Sequence, residues 1–258
     1  MAQHTRTFLA IEAHADDATL GAGAVLIEAA RRGHRVVIVT VVSDFATWQT
    51  TVGREARTRD GLLELADRYG FERRFLDYPY HQTRGDDLQL KQELARIHAE
   101  LNTDVALIHH HEDHWPDHAA SATVSHDALL FPHGLSGNLS AKPCPTIYSF
   151  DISPRQTFNF QPDVYFDVTH MIQDYIDLIR STCNLYFGRD SDQAVEGRYQ
   201  FVDEAGTTQQ LEMCPHALRR FAECVRAGNI ARCRFALGLK TVWASRRIAD
   251  LFEASTES

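Results

Sequence analysis

The sequence predicts an α/β protein: a Rossmann-like three-layer fold around a mostly parallel sheet, with a C-terminal subregion that contains a β-hairpin. Three observations carry this expectation. Apolar, β-branched runs recur along the first half of the chain, and amphipathic segments of helical length separate them. The first and fourth runs both end in clustered histidines and aspartates, at the carboxyl ends where such sheets bind ligands. With 258 residues, 44% hydrophobic and 24% charged, the chain is long enough to build one large core.

Arg6 to Ala13 (RTFLAIEA) and His34 to Val42 (HRVVIVTVV) read as strands buried on both faces. Between them Leu20 to Arg32 reads as a helix closed by Gly33. ARTRDGLLELADRYG predicts a helix ending at Gly70, RRFLDY a strand, DDLQLKQELARIHAEL an amphipathic helix, and TDVALIHHH a fourth strand. Strands joined through helices imply right-handed crossovers and parallel pairing. After Ser121 a helix runs to about Leu130, and FPHGLSGNLSAKPCP reads as a loop. TIYSFDIS and DVYFDVT follow as strands, MIQDYIDLIRSTCNLY as a helix, and GRYQFVDEAGTTQQLEM as a hairpin turning near Glu204-Ala205-Gly206. Pro215 to Phe252 reads as largely helical. The absence of repeats and of a clear linker predicts a single domain over 1–258, with a core in 1–135 and a part in 136–258 that completes the pocket.

The net charge of −9 and a pI near 5.8 argue against a non-specific nucleic-acid binder, which needs a basic stripe. The five cysteines form no CxxC pair and are odd in number, which predicts reduced thiols in a cytoplasmic protein. The opening MAQHTRTFLAIEAH lacks a signal-peptide pattern, and no apolar run approaches the roughly 20 residues of a membrane span. The expected partner is therefore a small molecule, with no nucleic acid and no membrane; a homo-oligomer is compatible with all of this.

The chemistry concentrates in AHADD, Ala13 to Asp17, and in HHHEDHWPDH, His109 to His118. A catalytic zinc takes three histidine or carboxylate ligands and keeps a fourth position for water. His14 and Asp17, three apart across a strand-to-helix turn, can converge on one ion, with a third ligand from His109 to His118. Asp16, between them, faces elsewhere and can accept a proton from water whose pKa the metal lowers toward ~7. A helix-capping aspartate is the competing reading of the turn. Alternate strand residues face opposite ways, so His109, His110 and His111 cannot all be ligands, and His110 is expected to face the site. Asp113 is expected to organise the loop. GAGA at Gly21 to Ala24 lacks the third glycine of a dinucleotide fingerprint, since Leu26 stands there.

AHADD followed by LGAGA resembles the AHPDD…LGxGG signature of the LmbE-like, or PIG-L, N-acetylglucosamine deacetylase family, and DHWPDH resembles its second motif. TDVALIHHHEDHWPDHAASA is similar to the strand and loop leading into that motif. FQPDVYFDVTHMIQDYIDLI and MCPHALRRFAECVRAGN are similar to the C-terminal half of the sugar-acting members, so the resemblance spans most of the chain, with the hairpin near Glu204 as an insertion. The resemblance implies that His14, Asp17 and His118 bind zinc, that Asp16 is the general base, and that Asp117 orients a neighbouring histidine or loop.

Three positions depart from the family pattern. Ala15 replaces the usual proline. Trp115 stands where many members carry a histidine that stabilises the oxyanion or protonates the amine; an indole donates one hydrogen bond but shuttles no proton. His114, carried inward by a backbone bulge, is the expected substitute, with His110 and His216 as further candidates. Tyr80, in LDYPYHQT, stands where the family usually has an aspartate for sugar hydroxyls, which implies a changed pocket. Arg57 and Asp60 sit where the family carries an Arg-x-x-Glu helix pattern, and Arg57 is expected either to reach substrate or to form a surface ion pair. His216 stands open between substrate contact and packing.

The expectation is a zinc-dependent amidohydrolase, with ferrous iron as the alternative metal, that removes an acyl group, acetyl first, from the amine of a sugar or sugar-like metabolite. One rival is a hydrolase of another amide in specialised metabolism, with Trp115 and Tyr80 building an aromatic pocket. The other is a non-catalytic nucleotide- or ligand-binding domain on the same fold.

Overall fold

The computed structural model describes residues 5–153, 156–188, 197–202 and 205–244. In chain order the elements are β1 (Thr7–Glu12), α1 (Asp17–Arg31), β2 (Arg35–Val42), α2 (Glu55–Arg68), β3 (Phe71–Tyr78), α3 (Leu88–Leu101), β4 (Val105–His109), α4 (Pro116–Leu130) and α5 (Pro132–Ser136). β5 (Thr146–Phe150), β6 (Val164–Asp167), α6 (Ile172–Phe187), β7 (Gly197–Val202), β8 (Thr208–Met213), α7 (Pro215–Ala231) and β9 (Ala236–Ala244) complete them. Seven strands form one sheet in the order β3-β2-β1-β4-β5-β9-β6, and β7 and β8 form a separate antiparallel hairpin.

β1 pairs in parallel with both β2 and β4, so it lies inside the sheet, and its run from Phe8 to Ile11 is apolar on both faces. Phe8 and Ala10 pack with α1 and α6, whereas Leu9 and Ile11 pack with α3 and α4. This period of two creates the three layers: helices on both faces of a sheet whose residues alternate between two cores. No described helix is long and apolar enough to cross a membrane. All five cysteines are free.

Two helices begin earlier than the sequence pattern indicates, and both starts matter for the site. α1 starts at Asp17 and α4 at Pro116, so Asp17 and His118 stand on first helical turns. An acid in the first turn and proline at the first helical position both favour these starts. The predicted loop from Phe131 includes the short helix α5.

The segment expected to be helical to Phe252 is instead α7 followed by strand β9; residues 245–252 lie outside the described residues. α7 stops where Arg232 turns left-handed at φ 60°. β9 then runs antiparallel to both neighbours, its first half (Ala236 to Leu239) pairing with β6 and its second half (Lys240 to Ala244) with β5, so that one strand joins the two. Tertiary demand for a strand in that gap overrides local helical preference.

The glycines of GAGA serve packing. A Cβ on Gly21 would stand 2.2 Å from the Phe150 ring, and one on Gly23 would stand 3.0 Å from the Tyr175 ring. Bare backbone here lets α1 lie against β5 and α6. Gly21→Ala is therefore expected to destabilise the fold by about 1–3 kcal/mol through overpacking, read as a lower urea midpoint at unchanged slope.

Candidate metal centre

The turn between β1 and α1 is fixed from beneath. Glu12, fully buried at the end of β1, accepts hydrogen bonds from Thr40 Oγ1 (2.6 Å), Arg73 Nη1 (2.6 Å) and the Ala18 amide (2.9 Å). Arg73 also donates to the Ala15 carbonyl at 3.2 Å. Burial raises the Glu12 pKa, and the Arg73 charge opposes that rise. The His14 amide donates to Asp17 Oδ2 at 2.7 Å, so the Asp17 side chain folds back over the turn. Asp16 occupies the N-cap position without a side-chain capping bond. Its carboxyl instead lines a cavity.

The second cluster arrives beside it. His109 Nε2 accepts from the Ala13 amide at 3.0 Å and lies 3.2 Å from Asp17 Oδ2. His14 Nδ1 and His118 Nε2 are 3.0 Å apart, and each lies 3.4 Å from Asp17 Oδ2. Behind them, Asp117 Oδ2 stands 3.2 Å from His14 Nε2, and Asp113 Oδ1 stands 3.1 Å from His118 Nδ1. A carboxylate behind each ring orients it, and in a neutral ring it favours a proton on that side, which frees the near nitrogen to ligate a metal.

His14 Nδ1, His118 Nε2 and Asp17 Oδ2 thus converge within 3.4 Å of one another. A tetrahedral ion with ligands at about 2.0–2.1 Å spaces its ligand atoms by about 3.3 Å, close to the three separations observed. The donor set fits a divalent ion. The same crowding is visible in the titration of the groups. Burial opposes charging of His14, but Asp117 and Asp17 push its pKa up to about 10. Burial also opposes ionisation of Asp17, yet the His118 and His109 charges hold it well below the usual carboxylate range.

Asp16 behaves in the opposite way. Burial and then the neighbouring Asp17 charge drive its pKa well above the ordinary range. The cavity of about 240 Å³ above it is walled by Leu20, Trp48, Trp115, Ile152, Tyr186 and Phe187, with Gln156 and His216 supplying further polar groups. Trp48 stacks on Tyr186 with ring centroids 5.9 Å apart, and Tyr80 packs on the His14 ring at 5.3 Å. Trp48, Ile152, Gln156, Tyr186 and Phe187 carry no motif in the sequence; a period of apolar residues on α6 was the only trace of two of them.

Not every expected residue reaches the site. His110 points the other way: Leu107 and His109 share the face toward α1, and His110 shares the opposite face with Ile108, its ring against Phe160 at 5.4 Å. The expected phase of the strand was one residue off. His114 is exposed; its amide donates to the Gln156 carbonyl at 2.7 Å, its ring meets the edge of Phe158, and it does not line the cavity. His216 does line it, stacked on Phe187 at 5.1 Å. Arg57 is exposed on α2 and outside the cavity wall. Asp113 accepts from the Trp115 amide (2.9 Å) and Thr157 Oγ1 (2.8 Å), so it organises the loop and supports His118 together. Asp117 also accepts from the His81 amide at 3.0 Å, which ties the Tyr80 loop to the same carboxylate.

A layered α/β fold with a His-Asp-His set at the carboxyl edge of its sheet defines the class. Residues 9–129 match the PIG-L family, described as GlcNAc-PI de-N-acetylase, and over that span the chain carries a domain of this PIG-L (LmbE-like) deacetylase family. Among solved structures, it is similar to GalB, the 4-carboxy-2-hydroxymuconate hydratase of Pseudomonas putida, at 17% identity and TM-score 0.70 over 94% of this chain and 98% of that one. It is similar to N,N'-diacetylchitobiose deacetylase of Pyrococcus horikoshii at 15% identity and TM-score 0.69, covering 95% and 88%. It is also similar to the conserved protein TT1542 of Thermus thermophilus at 18% identity and TM-score 0.67, covering 94% and 97%. No curated protein matches the sequence.

If the carboxylates behind the imidazoles set their orientation, Asp113→Ala and Asp117→Ala should each weaken zinc binding by about 10–100-fold. Competition against a chromophoric chelator measures this, and wild-type affinity in both variants would remove the orienting role.

Proposed function

We propose that the protein is a metal-dependent amidohydrolase that removes an acyl group, acetyl first, from the amine of a sugar or sugar-like metabolite. The observation that carries this reading is the division between adjacent carboxylates: both line the cavity, but only Asp17 converges with His14 and His118 as a candidate ligand set. His14, Asp17 and His118 would hold the ion, zinc ahead of ferrous iron, and a bound ion supplies Lewis acidity and acidifies water. The family match over residues 9–129 supports amide hydrolysis as the reaction class.

Asp16 accepts the proton of the attacking water. Its raised pKa suits it to keep that proton and hand it to the departing amine. His216 takes the place expected of His114, as donor to the carbonyl oxygen. It stands at the start of α7, and one turn later Arg220 holds that helix to the end of the sheet by donating to the Asp151 and Ile152 carbonyls at 2.7 and 2.8 Å. Ile152 lines the cavity, so Arg220 couples the position of His216 to the cavity wall.

The walls favour a second reading of the substrate. Trp48, Trp115, Tyr186 and Phe187 offer flat apolar faces, which suit an amide with an apolar acyl or amine portion as well as the face of a sugar ring. Because a hydratase shares the fold, the decisive assay on zinc-loaded protein is release of primary amine from N-acetylated sugars and from N-acyl aromatic amides. Activity on neither series would count against the proposal.

Asp16→Asn should retain zinc and lose about 10²–10⁴-fold in kcat, the usual contribution of a general base. A base works only when ionised, so a raised pKa means that activity falls as pH drops through a limb above the ordinary carboxylate value of about 4. Full activity in the Asp16 variant would reassign the base. His216→Ala should lower kcat by about 10²–10³-fold, with His114→Ala within about threefold of wild type. The reverse ranking would return the donor role to His114.

A further inference from the structure

A second cavity, of about 400 Å³, lies between α4 and β9 on the side of β4 that faces away from the metal centre. Its wall includes His110 and His111 beyond β4, Ser149 of β5, His126 of α4 and Lys240 of β9. No carboxylate lines it among the described residues, although the chain carries 35 acidic against 26 basic residues. The polarity is thus the reverse of that of the protein as a whole.

Lys240 is half-buried within β9, opposite Ser149, and makes no ion pair among the described residues. His110 is 3% exposed, and its Nε2 has no hydrogen-bond partner among the described residues. The nearest acids already have partners, and none of them lines the cavity. Glu112 accepts from Asn159 at 2.6 Å and lies 3.3 Å from His111 Nε2, Asp113 serves Thr157 and His118, and Asp127 is paired with Lys91 at 2.8 Å and lies 3.4 Å from His126 Nδ1. Burial, then the His111 and Lys240 charges, lower the His110 pKa, a sign of surplus positive charge around it.

An uncompensated ammonium beside an unsatisfied imidazole carries two desolvation costs, and one anion relieves both. We infer that this cavity binds a small oxyanion, a carboxylate or phosphate group, on a compact molecule whose apolar part rests on Ile108, Ala122 and Val242. His110, His111 and Glu112 also lie close enough to share a cation. The Lys240 ammonium opposes that occupant.

The test uses the full chain saturated with zinc at the metal centre. It is titrated with inorganic phosphate and, separately, with succinate, while the His110, His111 and His126 side-chain signals are followed by NMR. Saturable shifts are expected with at least one of the two, and the stronger binder identifies phosphate or carboxylate as the preferred group. Lys240→Met should weaken that binding about tenfold or more, while Lys240→Arg stays within about threefold. The inference is overturned if neither anion gives saturable shifts, if the shifts survive unchanged in a folded Lys240→Met, or if excess zinc rather than an anion saturates His110 and His111. None of these readouts depends on the proposed amide hydrolysis.

Discussion

Convergence on Asp17 Oδ2 is the constraint on which the site depends. His14 Nδ1 and His118 Nε2 each approach that oxygen to 3.4 Å and lie 3.0 Å from each other. Gathering a carboxylate and two imidazoles in a buried place is unfavourable unless a positive charge, a proton or a metal cation, is shared among them. The fold therefore has to hold the arrangement by force from outside. Asp117 and Asp113 do so from behind the rings, and the His14 amide does so from within the turn. These supports come from a single loop and helix start after β4 and from the turn after β1, which pair as neighbouring strands.

That force rests in turn on the buried Glu12–Arg73 ion pair, in which the Glu12 carboxylate also accepts from Thr40 and the Ala18 amide. A lone buried carboxylate would be costly, but here the guanidinium and two further donors share its oxygens, so the turn above it is gripped at both ends. A short turn held this firmly makes adjacent side chains diverge. Asp17 joins His14 and His118 while Asp16 stands outside that set, and their environments push their pKa values in opposite directions. Two chemically identical residues thereby acquire different acid–base character, the kind of divergence that carboxylate pairs in active sites display.

The layered fold was legible because parallel strands buried on both faces leave continuous apolar runs, and β1, β2 and β4 do so. β9 was not legible, since its strand character comes from the gap it fills between β5 and β6. In the site, the convergence of His14, Asp17 and His118 was legible because the three lie in two short motifs. His110 was misjudged by one step of strand phase, which flips a side chain to the other face. His114 was misjudged because only the pairing of its amide with Gln156 shows which way the loop turns. Trp48, Tyr186 and Phe187 reach the cavity from distant segments, and aromatic residues of that kind look the same in a sequence whether they fill a core or line a pocket.

The fold supplies metal-ligand geometry at one edge of its sheet and leaves the reaction to be decided by what stands above that edge. A hydratase and a deacetylase both share this architecture at TM-scores of 0.70 and 0.69, so architecture cannot discriminate between them. What discriminates is the wall. In this chain Tyr80 packs on the His14 ring and Trp115 lines the cavity at the two positions where the family resemblance leads one to expect polar side chains. Removing two polar groups lowers the cost of admitting an apolar surface and raises the cost of burying unmatched hydroxyls. Specificity in such a pocket follows from which substrate groups find partners, and here flat aromatic faces stand beside the polar groups of Asp16, Gln156 and His216.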